Sequence, residues 1–126
     1  MSNSFYQKIL MDHFKNPRNK KEIKKPSFSS GEDNPSCGDK VLMTGVIDGK
    51  IITDIAFEGT GCVISMALAS MLTEKCMGKT VKEALELTKS DILEMIGLEL
   101  GPNRLKCALL PLEALHKGIL KYLDEE

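Results

Sequence analysis

The chemistry open to this chain lies first in its thiols. Cys37, Cys62, Cys76 and Cys107 are separated by 25, 14 and 31 residues, without a CxxC pair of the kind that marks zinc ribbons or thioredoxin-like motifs. In a secreted chain four cysteines could close two disulfides; a reducing compartment favours free thiols, metal ligands or reactive sulfur. Local context separates the four. Residues Cys62 to Met77 are so rich in Val, Ile, Met, Leu and Ala that they read as a mostly buried helix. On one helix, at about 1.5 Å per residue, Cys62 and Cys76 stand about 21 Å apart, too far to share a metal. Cys76, beside Met77, reads as a small core hydrophobe. Cys62 follows Gly59-Thr60-Gly61 at the helix start, where backbone N–H groups and the macrodipole favour thiolate over thiol.

Cys37 sits in the turn-prone stretch Asn34-Pro35-Ser36-Cys37-Gly38-Asp39, and an extended backbone there points Cys37 and Asp39 to the same side. Gly38 between them lets other groups approach closely. Cys107 follows Lys106 near the start of a last helix. There a neighbouring cation and a helix N-terminus would both lower its pKa, and the alternative is an incidental buried cysteine. His13 and His116 are the two histidines. On one helix Cys107 and His116 face opposite sides, so they do not ligate together, and both histidines read as surface or half-buried. What remains is three thiols and one carboxylate. That set suits zinc or an iron–sulfur cluster, with the carboxylate as a weakly held, exchangeable corner.

The elements that must gather these groups follow from periodicity. Phe5, Ile9, Leu10 and Phe14 recur near helical spacing, so a first helix spans about residues 3 to 14 and stops before Asn16-Pro17. A basic connector with Lys15, Arg18, Lys20, Lys21, Lys24 and Lys25 reads as a solvated linker, with a docking patch as the sharper alternative. Pro26 to Asp33 is an edge strand or extended loop. Lys40 to Ile47 and Lys50 to Glu58 flank Asp48-Gly49, suited to a type I′ hairpin turn, and Ile51, Ile55 and Phe57 are expected on one buried face. Gly78 ends the apolar helix, Thr80 and Glu83 form a capping box for the next, Ser90 caps a short one ending near Gly97, and Pro102 opens the last.

The 126 residues favour one domain over 1–126, with a core of useful size. A formal charge of -1, with four Phe, two Tyr and no Trp, argues against a nucleic-acid partner. No run is apolar enough to span a membrane, and Met1 to His13 lacks the pattern of a leader, so a cytoplasmic location is expected.

Four ordered motifs carry a resemblance. They are Asp12-His13-Phe14-Lys15-Asn16-Pro17-Arg18-Asn19, Asn34 to Asp39, Phe57-Glu58-Gly59-Thr60-Gly61-Cys62 with Ser65-Met66-Ala67, and Arg104-Leu105-Lys106-Cys107. Together they resemble the U-type iron–sulfur assembly proteins, IscU, SufU and the N-terminal domain of NifU, over about Phe5 to Leu120. The resemblance implies an α+β fold of SufE/NifU-like architecture, a small three-stranded antiparallel sheet covered by helices. It implies Cys37, Cys62 and Cys107 as site cysteines with Asp39 as the neighbouring carboxylate, and leaves Cys76 out.

Proteins of this kind accept persulfide sulfur from a cysteine desulfurase, combine it with iron from Fe²⁺ or an iron donor, and pass the cluster to apo-proteins. Two readings follow. In the first the chain is a scaffold for a transient [2Fe-2S] cluster held by Cys37, Asp39, Cys62 and Cys107. In the second it is a zinc-dependent sulfurtransferase partner of the desulfurase, with Zn²⁺ on the same four residues. Cys107, beside Lys106 as the candidate thiol activator, is the expected persulfide acceptor in the scaffold. Lys106 stands where IscU-like members usually carry His, which is the SufU pattern, while the 45-residue interval from Cys62 to Cys107 is too short for the SufU insertion. Leu100 to Arg104 keeps only the leucine, one proline and a basic residue of the IscU chaperone motif. A structural zinc domain or adaptor is the blander third reading, disfavoured by an aspartate among the ligands.

Overall fold

The computed structural model describes residues 2–125. Helix α1 spans Ser2–Lys15 and closes with the Asn16 N–H donating to the Asp12 carbonyl at 2.8 Å, immediately before Pro17. Its buried residues are Leu10 and His13, one turn apart against helix α2 (Val63–Cys76), while Phe5 and Phe14, two of the apolar residues whose spacing marks the helix, are 61% and 37% exposed. The apolar spacing marked the helix correctly but not its inward face, because a histidine occupies one of the inward positions.

Three strands follow, β1 (Phe28–Asn34), β2 (Asp39–Asp48) and β3 (Ile51–Thr60), paired antiparallel in that order. Asp48 pairs with Ile51, so the turn is Gly49-Lys50, one residue later than expected. Only Gly49 has positive φ there, at 65°, which excludes a type I′ turn. Ile47 pairs with Ile52 and Val46 with Asp54, leaving Thr53 as an extra residue in β3. That bulge inverts the alternation: Ile52 joins Ile55 and Phe57 in the core at 0% exposure, and Ile51 turns outward.

The connector is packed rather than solvated along its first part. Phe57 donates its N–H to the Asn19 carbonyl (3.0 Å), and Lys21 donates to the Phe57 carbonyl (3.2 Å), so the connector covers the outer edge of β3. Further along the same edge Ile52 donates to the Lys79 carbonyl and Gly78 to that of Ile52, each at 2.8 Å. The Arg18 N–H and Asn19 side chain reach Ser70 and Thr73 of α2 at 2.8 and 3.1 Å. These bonds explain the Asn-Pro-Arg-Asn motif as a docking device. On β1, Lys117 donates to the Gly31 carbonyl (3.1 Å) and pairs with Glu32 (3.0 Å), a charged cover for an exposed edge.

Helix α3 (Val81–Leu85) carries the expected Thr80–Glu83 capping box. Helix α4 (Lys89–Ile96) is capped by Thr88 with Asp91, not by Ser90: threonine followed three residues later by an acid satisfies two orphan N–H groups reciprocally. Gly97 ends it at φ 65°. Helix α5 (Pro102–Glu125) packs across β1, β2 and α2, with Leu112, Leu115 and Ile119 buried in the core and Gly118 against Phe28 of β1. Among the described residues no helix is long and apolar enough to cross a membrane.

His13 joins α1 to α2. Ser70 Oγ accepts the Arg18 N–H and shares a hydrogen bond with His13 Nδ1 at 2.7 Å, while His13 Nε2 faces Glu74 at 3.5 Å. Burial, then the Arg18 charge, lowers the His13 pKa from its usual 6.5 against the pull of Glu74 and Asp12. A depressed histidine stabilises the fold above the unfolded value and loses that contribution as pH falls through the folded one. Urea midpoints should therefore fall more steeply between about pH 7 and pH 5 in the wild type than in His13→Gln. Parallel slopes would show that His13 does not titrate against folding.

Candidate metal and sulfur site

The site assembles at the end of the sheet away from the Gly49 turn. Cys37 lies in the β1–β2 connection, where Cys37 and Gly38 donate N–H bonds to the Asn34 carbonyl at 3.1 and 2.9 Å and Gly38 adopts φ 75°. The turn-prone stretch is a tight turn, without the extended path that would place Cys37 and Asp39 on one side, so Cys37 stands exposed at a hairpin tip. Asp39 begins β2 and is 1% exposed. Cys62 is the N-cap residue of α2, as the sequence suggests. Cys107 is the sixth residue of α5 and is 2% exposed.

One oxygen of Asp39 and the sulfurs of Cys62 and Cys107 lie within 4.8 Å of one another. Asp39 Oδ1 accepts the Cys62 N–H at 3.0 Å, and Oδ2 accepts the Cys62 thiol at 3.2 Å. Gly61 makes this approach feasible, since a Cβ there would stand 2.7 Å from Asp39 Oδ1 and 2.9 Å from Ser65 Oγ. Burial works against charge on Asp39, but hydrogen bonds from Cys107, Cys62 and Ser65 outweigh it and hold the carboxyl below its usual value. Cys37, the fourth expected ligand, lies outside this trio and reaches it through Cys107 and the Asn34 amide, whose Nδ2 is 3.7 Å from Cys37 Sγ and 3.9 Å from Cys107 Sγ.

Cys107 departs from expectation. Burial first, then hydrogen bonding with Asp39, Cys37 and Cys62, pushes its thiol well up rather than down. The macrodipole acts mainly within the first turn, which Cys107 has passed, and Lys106, exposed on the neighbouring helix face, is not among the groups that shift it. Cys76 is 1% exposed in the core, its thiol pushed up to about 11 by burial, and stands apart from the site. His13 is buried and His116 donates Nε2–H to the Ala84 carbonyl at 2.8 Å, so both histidines serve packing.

An open groove of about 920 Å³ runs from Cys37, Cys62 and Cys107 between α1 and the start of α5, walled by Met11, Val63 and Leu100. The donor chemistry fits a thiophilic metal. Asp39 is a buried carboxylate whose hydrogen-bond partners are thiols, an N–H and a hydroxyl, and among the described residues it has no ion-pair partner. A cation shared with two or three thiolates would satisfy its charge. Sequence reasoning named these four residues but missed Asn34, whose signal was an Asx residue two positions before the Ser36 N–H in a turn.

The chain is similar to several known proteins. The NifU-like N-terminal domain model matches residues 5–126. The zinc-dependent sulfurtransferase SufU of Bacillus subtilis is 39% identical, over 94% of this chain and 91% of that protein. The iron–sulfur cluster assembly scaffold protein IscU of Aquifex aeolicus is 40% identical, over 100% of this chain and 80% of that protein. Among solved structures, FiSufU of Fervidobacterium islandicum AW-1 superposes with a TM-score of 0.76 at 30% identity, covering 94% of this chain and 99% of that one. The N-terminal part of a NifU-like protein from Brucella abortus gives 0.75 at 16% identity over 96% and 95%, a likeness of fold alone. With the whole meander-and-helix frame matched from residue 5 onward, the chain belongs to the NifU-like N-terminal domain family.

Proposed function

We propose that this protein is an iron–sulfur cluster assembly scaffold. It receives sulfur from a cysteine desulfurase, combines it with iron on Cys37, Asp39, Cys62 and Cys107, and passes a [2Fe-2S] cluster to apo-proteins. The observation that carries the reading is the convergence of Asp39, Cys62 and Cys107 donor atoms within 4.8 Å, from three segments far apart in sequence, at an open groove with Cys37 on its rim.

Sulfur capture needs a thiolate that attacks the sulfane sulfur of the donor's persulfide. The donor's S–S bond breaks, a new S–S bond forms on the acceptor, and the electron pair leaves with the desulfurase thiolate, so this transfer is redox-neutral; turning the captured sulfane sulfur into cluster sulfide then takes two electrons per sulfur, drawn from Fe²⁺ and a thiol reductant. In the conformation described Cys37 is the exposed thiol of the three, and it is therefore the first acceptor in this reading. Cys107, expected from the sequence to take that role, lies beneath it and follows only once the hairpin tip moves. Asp39 offers the cluster a hard, exchangeable oxygen ligand among soft sulfurs, which favours release.

The second reading, a zinc-dependent sulfurtransferase, is favoured by the Bacillus subtilis relative and by Lys106 before the third site cysteine. The same four residues would hold Zn²⁺, which would keep their sulfurs deprotonated. The deciding experiment adds desulfurase and cysteine to reduced protein and locates persulfide by mass spectrometry, then adds Fe²⁺ with a thiol reductant and follows charge-transfer absorption. The scaffold reading expects visible absorption that an apo-ferredoxin removes, with persulfide on Cys37. Faster desulfurase turnover with zinc-loaded protein and no absorption would establish the sulfurtransferase instead.

A further inference from the structure

Asn34 is a polar side chain that touches two of the site sulfurs and has no assigned task. It ends β1, pairs with Asp39 across the ladder, and its carbonyl accepts both the Cys37 and Gly38 N–H groups, so the hairpin tip hangs from this residue. Its half-buried side chain also works in two directions. Oδ1 accepts the Ser36 N–H at 3.2 Å, while Nδ2 lies 3.7 Å from Cys37 Sγ and 3.9 Å from Cys107 Sγ. The orientation follows from chemistry: a backbone N–H can only donate, so the amide oxygen must face Ser36 and the NH₂ must face the sulfurs. Two N–H donors thus meet two sulfur acceptors that sit on different elements, one on an exposed turn and one in α5.

We infer that Asn34 is a positioning residue for the metal-binding thiols, its amide spanning Cys37 and Cys107 so that the outermost sulfur is held against the buried ones. The inference rests on the ligand set of the proposed function and adds to it a residue that holds the outermost of those ligands in place. Cys37 is the ligand most in need of such help, because Asp39, Cys62 and Cys107 are fixed by strand, helix cap and helix while Cys37 is carried by a turn. Outer contacts of this kind that orient a metal ligand typically carry about 10–100-fold of metal affinity.

Two variants separate the side chain's roles. Asn34→Ala removes both the turn acceptor and the amide donors. Asn34→Ser keeps a hydroxyl able to accept the Ser36 N–H but is too short to reach the sulfurs. Zinc affinity by competition with a chromophoric chelator should fall about tenfold or more in both variants. Sulfur-to-Co²⁺ charge-transfer absorption should drop by the share of one thiolate, with thermal midpoints close to wild type. Asn34→Ser binding zinc like the wild type would overturn the inference, since the turn bond alone would then suffice.

A metal-free measurement keeps this apart from the proposed function. In ¹⁵N-labelled reduced protein the Asn34 side-chain amide resonances should shift in Cys37→Ala and again in Cys107→Ala. A response to only one of them would overturn the bridge. Wild-type protein that takes up neither Zn²⁺ nor Co²⁺ would sink the proposed function, while the amide resonances would still decide whether Asn34 spans the two sulfurs.

Discussion

Cys62→Ala and Cys107→Ala should each lose at least about a hundredfold in zinc affinity, whereas Cys76→Ala should bind metal like the wild type. The size follows from the energy of a four-ligand thiolate-rich site. Apparent binding free energies of about 10–16 kcal/mol shared among four ligands leave about 3 kcal/mol for each, or roughly a hundredfold in Kd. The contrast with Cys76 is spatial. Cys62 caps the N-terminus of α2 and Cys76 ends it, so one thiol meets Asp39 and Cys107 while the other is sealed in the core. Cys76→Ala should cost about 1 kcal/mol of stability through a small cavity and nothing at the site. Isothermal titration of the three variants checks this, and zinc affinity lost in Cys76→Ala with unchanged folding would contradict the assignment.

Replacing Asp39 should have the opposite sign on lifetime. Asp39→Ala is expected to hold an assembled [2Fe-2S] cluster about tenfold longer and to deliver it to an apo-ferredoxin correspondingly more slowly, a change of about 1.4 kcal/mol in the barrier to release. The carboxylate supplies a hard ligand in a soft set, and it is held ionised by hydrogen bonds from the same groups that bind the cargo. Removing it also removes the acceptor of the Cys62 N–H, so the comparison needs a folding control. Decay of visible absorption with and without the acceptor protein measures both rates. An unchanged transfer rate would show that Asp39 does not govern release.

Much of this site was legible before any coordinates. Helix length alone separates Cys62 from Cys76, because a continuous apolar run of that length cannot bring its two ends to one metal. Of the flanking glycines, Gly61 is where Asp39 packs against the chain, whereas Gly38, expected to admit close neighbours, has open space around it and serves the turn through its φ of 75°. What was not legible depends on contacts that no local pattern encodes. The Thr53 bulge reverses which isoleucine enters the core, and periodicity cannot register one unpaired residue. The burial of Cys107 depends on β1, β2 and α2 closing over α5, which reverses the expectation drawn from Lys106 and a helix start. The Asn34 contacts arise only when the hairpin tip folds onto a helix 73 residues away in sequence.

The most direct test counts the ligands. X-ray absorption at the zinc edge of stoichiometrically loaded wild-type protein should show three sulfurs at about 2.3 Å and one oxygen at about 2.0 Å. Four sulfurs would bring Cys76 into the site, and one or two would leave Cys37 or its partners outside it. Either count would contradict the convergence on which this reading stands.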